Sequence, residues 1–255
     1  MHFRLPKPLH GWREFIGEVA IIVLGVLIAL SAEQAIENWR WHEQLGAGRD
    51  ALRADLQSVL ANAREREAED KCIRDRLLFL RNLLDSHPNG LPALGHVGSP
   101  PARGWYPNSW DSLVASNVSA HMEKDDLIAF GNIAQQARLA EETATREIDD
   151  WAVIYTMVGP ARPLAVGEAA QLRKAITNAA FQLNLMRLIA PQLGQAIGAT
   201  GLLTKKDLAE VDADAARLLR GTNARHICGP IPDPGRVDAP YDPAVQARPA
   251  SPKRR

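Results

Sequence analysis

The sequence predicts an all-α protein in which an N-terminal transmembrane helix continues into an extracytoplasmic helical bundle, followed by a disordered C-terminal tail. Three observations predict this fold class. Only 5% of the 255 residues are aromatic, while Ala, Leu, Arg and Glu dominate, a composition that favours helices. An uncharged apolar run lies near the N-terminus. Beyond it, apolar residues recur at helical spacing over most of the chain.

The apolar run is long enough to cross a bilayer. Residues 19–32 carry no charge, and extension back to Phe15 gives eighteen residues in which Glu18 is the only ionisable group. Eighteen helical residues span roughly 27 Å, close to the hydrocarbon thickness of a membrane. A buried core helix is a poor fit because the run is apolar on all sides. A cleaved signal peptide is the other alternative, although a long and partly acidic segment precedes the run. We therefore expect a transmembrane helix at residues 15–35.

Residues on either side of the run predict its orientation. Trp12 precedes it and Trp39 and Trp41 follow it, at positions where amphipathic rings favour the headgroup region. More basic residues precede the run than follow it. The positive-inside rule then places residues 1–14 in the cytoplasm and residues 36–228 in the periplasm of a bacterium. The lipid bilayer of the inner membrane is thus the first expected partner.

Three residues of the span suggest helix contacts. Glu18 lies near its cytoplasmic end, where the simpler interpretation is that the carboxylate snorkels to the interface. The alternative is that it pairs with a partner helix in the membrane. Gly25 and Ala29 match the small-xxx-small pattern that permits close helix approach. A homodimer, or a contact with another membrane or envelope protein, is therefore a second hypothesis for this segment.

One pattern in this stretch runs through Gly17, Glu18, Val19, Gly25, Ile28, Ala29, Leu30 and Trp39. It resembles the N-terminal signature of a bacterial family of uncharacterised single-pass membrane proteins, in which Gly-Glu-Val/Ile leads into a span ending Gly-Val/Ile-x-Ile-Ala-Leu. A second stretch, from Trp110 to Phe130, is similar to an aromatic-x-x-Leu-x-x-Ser segment of that family. The family has no known function, so the resemblance implies a retained anchor and a role for Glu18, but no activity.

The chain has two cysteines, Cys72 and Cys228. The predicted topology places both in the periplasm, where an even count of separated cysteines suggests a disulfide. We therefore expect a Cys72–Cys228 bond that ties the end of the domain to an early helix.

Apolar periodicity predicts the elements of the bundle. The spacing of apolar residues such as Leu52 and Leu56 predicts a long helix through Leu84, on whose apolar seam Arg66 and Asp70 also fall. These two charges are interpreted as a solvated middle of the helix, the alternative being a polar layer that specifies pairing. A Pro- and Gly-rich loop is predicted across one end of the bundle at 86–108, and a Pro-rich disordered tail at 229–255. Further helices are predicted near 109–116, 123–158, 166–197 and 204–219. The last of them begins with a capping-box-like pattern at Thr204–Asp207.

A candidate ligand pocket is predicted where aromatic residues concentrate, at Trp105, Tyr106, Trp110 and His121. These side chains either line a small-molecule pocket or cap the end of the bundle. His121 and Asp125 have the spacing of two metal ligands on one helix face. Acidic residues in a first helical turn are more simply explained by the helix dipole, so no metal site is predicted.

The sequence predicts no enzyme. It contains no G-x-S-x-G, H-E-x-x-H, Walker A, G-x-G-x-x-G or C-x-x-C pattern, so neither catalytic residues nor a cofactor are expected. The net charge is zero, which argues against a nucleic-acid partner. Two functions are left: an interaction or scaffold module for an envelope partner, and a small-molecule-sensing bundle that signals through a partner membrane protein. The first is favoured because a cytoplasmic segment of residues 1–14 is too short for an output domain.

Overall fold

The computed structural model describes residues 12–221 and 227–235. Most of these residues belong to five α-helices, and the predicted all-α fold class is confirmed. Short 3-10 turns follow α2 and α3. The elements in chain order are α1 (Trp12–Ser86), β1 (Gly90–Leu91), α2 (Asn108–Ala115), α3 (Lys124–Ile154), β2 (Arg162–Pro163), α4 (Glu168–Ala199) and α5 (Lys205–Leu219).

The helix α1 joins the apolar run to the bundle without interruption. It contains 75 residues, which at 1.5 Å per residue corresponds to roughly 110 Å. Its N-terminal part is long and apolar enough to cross a membrane, and none of the apolar window is buried against the rest of the protein. The interpretation of the run as a buried core helix is therefore excluded.

The bundle packs around the second half of α1. α3 packs against α4, and α1 packs against both α4 and α5. The buried apolar side chains form two clusters, one centred on Leu52 and Leu56 of α1 and the other on Ile73 and Leu80. The expected apolar seam of α1 thus contributes buried residues to both clusters.

Between the two clusters, α1 carries charged residues that are not solvated. Arg66 is only 7% exposed and Glu69 is 0% exposed. The interpretation of this stretch as a solvated middle is therefore wrong for Arg66. The helix α4 packs against α1, and Glu147 of α3 and Arg103 of the loop after α1 reach the charged stretch through ion pairs with Arg66 and Glu65. Asp70 lies nearer the surface, where it forms ion pairs with Arg74 and Arg187.

The start of α5 agrees with its predicted capping box. The Thr204 hydroxyl accepts from the backbone N–H of Asp207 at 3.2 Å, and the Asp207 carboxylate accepts from the backbone N–H of Thr204 at 2.7 Å. These reciprocal bonds satisfy two backbone donors that a helix start leaves without intrahelical partners.

The loop between α1 and α2 takes a different path from the one predicted. Its residues 94–107, called the strap below, run back along α1 instead of crossing one end of the bundle. Arg76 donates to the carbonyl of Val97 at 2.6 Å, and Asn62 donates to the carbonyl of Gly104 at 2.8 Å. These α1 side chains satisfy strap carbonyls that would otherwise be buried without partners. The strands β1 and β2, paired antiparallel, fix the beginning of this path.

The end of the described chain is also attached to α1. Cys72 and Cys228 form the predicted disulfide, with their Cα atoms 4.9 Å apart. Arg76 donates to the carbonyls of Gly229 and Pro230, and Gly235 donates to the carbonyl of Ala93 at 2.7 Å. Residues 229–235, assigned to the tail from the sequence, therefore lie against the bundle. The rest of the predicted tail, from residue 236, and the segment before Trp12 lie outside the described residues.

Candidate ligand-binding cavity

A cavity of about 270 Å³ lies between the middle of α1, the strap and α3. Its volume is near the lower end of the roughly 300–1,000 Å³ typical of small-molecule sites. It occurs where the apolar seam of α1 is interrupted, because charged side chains there cannot fill the interior as aliphatic ones do. The cavity wall contains Asn62, Glu65, Arg66 and Glu69 of α1, Glu147 and Trp151 of α3, Trp105 and the segment 99–103 of the strap, Tyr155, and Met186 of α4.

Two ion pairs connect the elements around the cavity. Arg103 of the strap binds Glu65 through two parallel bonds, of 2.7 and 2.8 Å. Arg66 of α1 donates to Glu147 of α3 at 2.7 Å. Bidentate and charge-assisted geometry of this kind offsets part of the cost of removing the charges from water. The pairs therefore fix the strap and α3 against α1.

The carboxyl group of Glu69 is not paired in this way. It is 0% exposed, and neither of its oxygens has a hydrogen-bond partner among the described residues. Burial, with the nearby Glu65 carboxylate, raises the pKa of Glu69 to about 8, against the opposing effect of Arg66 and Arg103. Glu69 is therefore largely protonated at neutral pH. Burial also raises the pKa of Glu147, with Arg66 opposing the shift.

Aromatic residues form the apolar part of the wall. Trp105 is 3% exposed and Trp151 is 2% exposed. The indole N–H of Trp151 is buried without a hydrogen-bond partner among the described residues. The hydroxyls of Tyr155 and Ser99 lie 3.3 Å apart. The cavity thus combines ring faces with a buried acid and a buried donor that the described part of the chain leaves unsatisfied.

The four residues of the predicted pocket are not brought together. Trp105 lines the cavity, but Trp110 lies in the first apolar cluster because its face of α2 points toward Phe130. His121 stacks on Trp41, with the ring centroids 3.9 Å apart. Within the described part of the chain, no cluster of three or more His, Cys, Asp or Glu side chains is arranged to hold a metal ion.

Tyr106, the fourth of these residues, lies outside the cavity. It donates to Asp111 at 2.6 Å, and Arg138 lies 4.9 Å from the centroid of its ring. The predicted set thus divides between the cavity, the core and the surface.

The tryptophans near the apolar run differ in environment. Trp12 and Trp39 are 75% and 67% exposed, and on one helix they lie roughly 40 Å apart. That separation approaches the roughly 40–45 Å between the outer edges of a bilayer. Trp41 is instead partly buried through its contact with His121, so it joins α1 to the bundle. Glu18, Gly25 and Ala29 are exposed on the N-terminal part of α1.

Sequence reasoning missed the central residues of the cavity. Arg66 on the apolar seam was the available signal, but its partner Glu147 is 81 residues away in sequence. Glu69 and Trp151 belong to no sequence motif that would have marked them as site residues. Comparisons of the chain with protein-family models, with curated proteins and with solved structures gave no match.

Proposed function

We propose that this chain is a single-pass protein of the bacterial inner membrane whose periplasmic bundle binds a small molecule in the cavity between α1, the strap and α3. The observation that carries the ligand-binding proposal is that the cavity wall places a carboxyl group and an indole N–H, both without hydrogen-bond partners among the described residues, beside aromatic rings. Native proteins satisfy nearly all such groups, because each costs free energy when it is left alone. A layer that served stability alone would be filled with aliphatic side chains at equal or lower cost.

Anchoring is supported by the exposed apolar part of α1 and by the spacing of Trp12 and Trp39. The resemblance of residues 17–39 to a single-pass family signature supports an anchor that is retained. A disulfide between Cys72 and Cys228 suits an oxidising compartment, which supports a periplasmic bundle and a cytoplasmic N-terminus.

The helix α1 supports a mechanical link between the membrane anchor and the cavity in the bundle. It contains the apolar run and also four residues of the cavity wall. A ligand that changes the packing of the cavity therefore acts directly on the helix that enters the membrane. The readout would be a change in contact with a partner membrane protein, in keeping with the sensing hypothesis.

A scaffold for an envelope or membrane partner is the second candidate. It is favoured by the exposed strip of Gly25 and Ala29 and by the exposed Glu18, which offer a surface for a second helix. Both candidates need the anchor, so the anchor is tested first.

Carbonate extraction of membranes tests the anchor. The full-length chain of 27.9 kDa should stay in the membrane pellet. When free thiols are blocked by alkylation before lysis, Cys72 and Cys228 should escape the reagent because they are already joined in the disulfide. A shortened chain released into the periplasm would overturn the anchor in favour of a cleaved signal. Free thiols in both cysteines would contradict the orientation.

Thermal unfolding of the full chain in nanodiscs, screened against small metabolites, tests ligand binding. Ala144 lines the cavity, so Ala144→Trp should fill it and abolish any ligand-induced rise in melting temperature. Ala209→Trp, at an exposed position of α5, is the matched control and should keep the rise. If Ala144→Trp keeps the ligand-induced rise in melting temperature, the ligand binds at a site other than this cavity.

A further inference from the structure

We propose that the cavity binds a small organic cation, an ammonium group on an apolar body, with Glu69 as its counter-ion. This inference rests on the proposed ligand-binding function and names the class of ligand. Three features of the cavity support it: the balance of charges, the groups left unsatisfied, and the aromatic wall.

The charges of the wall come from α1, the strap and α3. They consist of three carboxyl groups and two guanidinium groups, and each guanidinium is bonded to one carboxylate: Arg103 to Glu65 and Arg66 to Glu147. Glu69 is left over. When it is protonated the wall is electrically neutral, and when it is ionised the wall has one uncompensated negative charge. A bound cation restores neutrality in the ionised state.

The two unsatisfied groups define what the ligand has to offer. The Glu69 carboxyl requires a donor, and the ionised form requires a charged one, because a buried charge is stable only when it is paired and hydrogen-bonded. The indole N–H of Trp151 requires an acceptor or a π face. An ammonium group on a body with a ring or an oxygen atom satisfies both.

The aromatic wall favours a cation over an anion. An ammonium group is attracted to the faces of Trp and Tyr rings, an effect that strengthens when water is excluded. Trp105, Trp151 and Tyr155 supply three such rings. An anionic ligand would have to displace a carboxylate from Arg103 or Arg66, both of which are already held by short bonds.

Access to Glu69 requires a movement of the wall. The residue has no exposed surface, so a ligand reaches its carboxyl group only when a neighbouring segment shifts. The segment 99–105 of the strap belongs to no helix or strand, whereas the other walls are mainly helical. We assign the movement to its first part, residues 99–102, because Arg103 is held by Glu65 and Trp105 by Glu141.

Binding of the cation exchanges it for a proton. At neutral pH Glu69 holds a proton, since its pKa is about 8; when the ammonium group binds, the carboxyl ionises and that proton passes to solvent. The groups that face Glu69 are Glu65 and Arg66 of α1, Arg103 of the strap and Glu147 of α3. Glu65 stays paired with Arg103, and Glu147 with Arg66, throughout the exchange. The only change of charge in the wall is therefore at Glu69, whose O–H bond is replaced by an ion pair with the ammonium group of the ligand.

Titration calorimetry on the full chain in nanodiscs tests this exchange. The probes are benzylamine, its neutral analogue benzyl alcohol and the anion benzoate, which share one apolar body. In two buffers of different ionisation enthalpy at about pH 6.5, below the pKa of Glu69, benzylammonium should bind with release of about one proton. Its affinity should rise about tenfold per pH unit up to about pH 8 and then level off.

Glu69→Gln is the decisive variant. It mimics the protonated side chain in shape and charge, so the fold should persist, as its melting temperature will show. We expect it to weaken benzylammonium binding at least tenfold and to abolish proton release. Glu67→Gln, an exposed neighbour on the same helix, should bind as the wild type does.

The possible failures are distinguishable. If benzyl alcohol or benzoate binds as tightly as benzylammonium, or if Glu69→Gln keeps the affinity, the cation proposal is overturned while ligand binding stands. If none of the three probes binds, even at millimolar concentration, and the metabolite screen is also negative, the proposed function itself fails.

Discussion

Single residues of this protein make stability depend on pH in opposite directions. Glu168 accepts from Arg162 and from the backbone N–H of Ala165, which lowers its pKa to about 2; it stabilises the folded state above the unfolded pKa and loses that effect as the pH falls toward 2. Glu69 has a folded pKa of about 8, above its ordinary 4.5. The folded state therefore binds its proton more tightly than the unfolded chain does, and stability falls as the pH rises from 4.5 to 8.

Replacement of Glu69 by Gln should remove this loss. The free energy of unfolding of Glu69→Gln should exceed that of the wild type by an amount that grows about 1.4 kcal/mol per pH unit between pH 4.5 and about pH 8. Denaturant unfolding across that range measures it, with Glu67→Gln as the control. If the free energy of unfolding of the wild type and of Glu69→Gln changed with pH in parallel, the pKa of Glu69 in the folded protein would be the same as in the unfolded chain.

A second residue-scale prediction concerns Arg76. The residue is 1% exposed, and its guanidinium donates to carbonyls of the strap and of the segment 227–230. Hydrogen bonds from a charged group contribute about 1.5–3 kcal/mol each, and unpaired buried carbonyls add a penalty. Arg76→Met should therefore destabilise the protein by at least about 3 kcal/mol. Arg81→Met, an exposed position of α1, should change stability by less than about 0.5 kcal/mol.

At the scale of elements, the junction of α1 and α2 depends on a missing side chain. A Cβ at Gly48 would overlap the side chain of Leu113 in α2, whereas a Cβ at Gly46 would meet nothing within 4 Å. Both glycines lie inside α1, where each lowers helix stability relative to alanine. The packing against Leu113 thus favours glycine at position 48, while the packing at Gly46 does not require glycine.

Alanine at the two positions should have opposite effects. Gly46→Ala should raise the free energy of unfolding by up to about 1 kcal/mol, through helix propensity alone. Gly48→Ala should lower it, because overpacking against buried Leu113 costs about 1–3 kcal/mol. Thermal unfolding of both variants in the same buffer checks the pair. Equal shifts in melting temperature for the two variants would mean that α2 moves away from α1 at no cost in stability.

Elements with local signals were predictable, and apart from the Cys72–Cys228 disulfide the contacts between them were not. The spacing of Leu52 and Leu56 indicated α1, and Thr204 with Asp207 indicated the start of α5, because these signals lie within a few residues of one another. The strap and the cavity depend on pairs such as Arg103 with Glu65, which are 38 residues apart. No periodicity reports such a pair, so the sequence yielded the helices but not the cavity between them.

At the scale of the whole molecule, one disulfide closes almost the entire bundle. Cys72 and Cys228 are 156 residues apart, and a cross-link over a loop of that length stabilises by about 5 kcal/mol in the chain-entropy model. The double variant Cys72→Ser with Cys228→Ser should lose about that amount. Reduction should lower the melting temperature of the wild type and leave the double variant unchanged, which controls for other effects of the reductant. Equal melting temperatures of wild type and variant would contradict this account.

The continuity of α1 also fixes an angle. Glu18 and Glu69 lie about fourteen turns apart on one helix, which places them within about 60° of each other around its axis if the helix is ideal. One residue added between the apolar run and the bundle would turn the cavity by about 100° relative to the membrane face of the helix. The direction in which the cavity faces is therefore set by the number of residues in α1, and length and orientation cannot evolve separately.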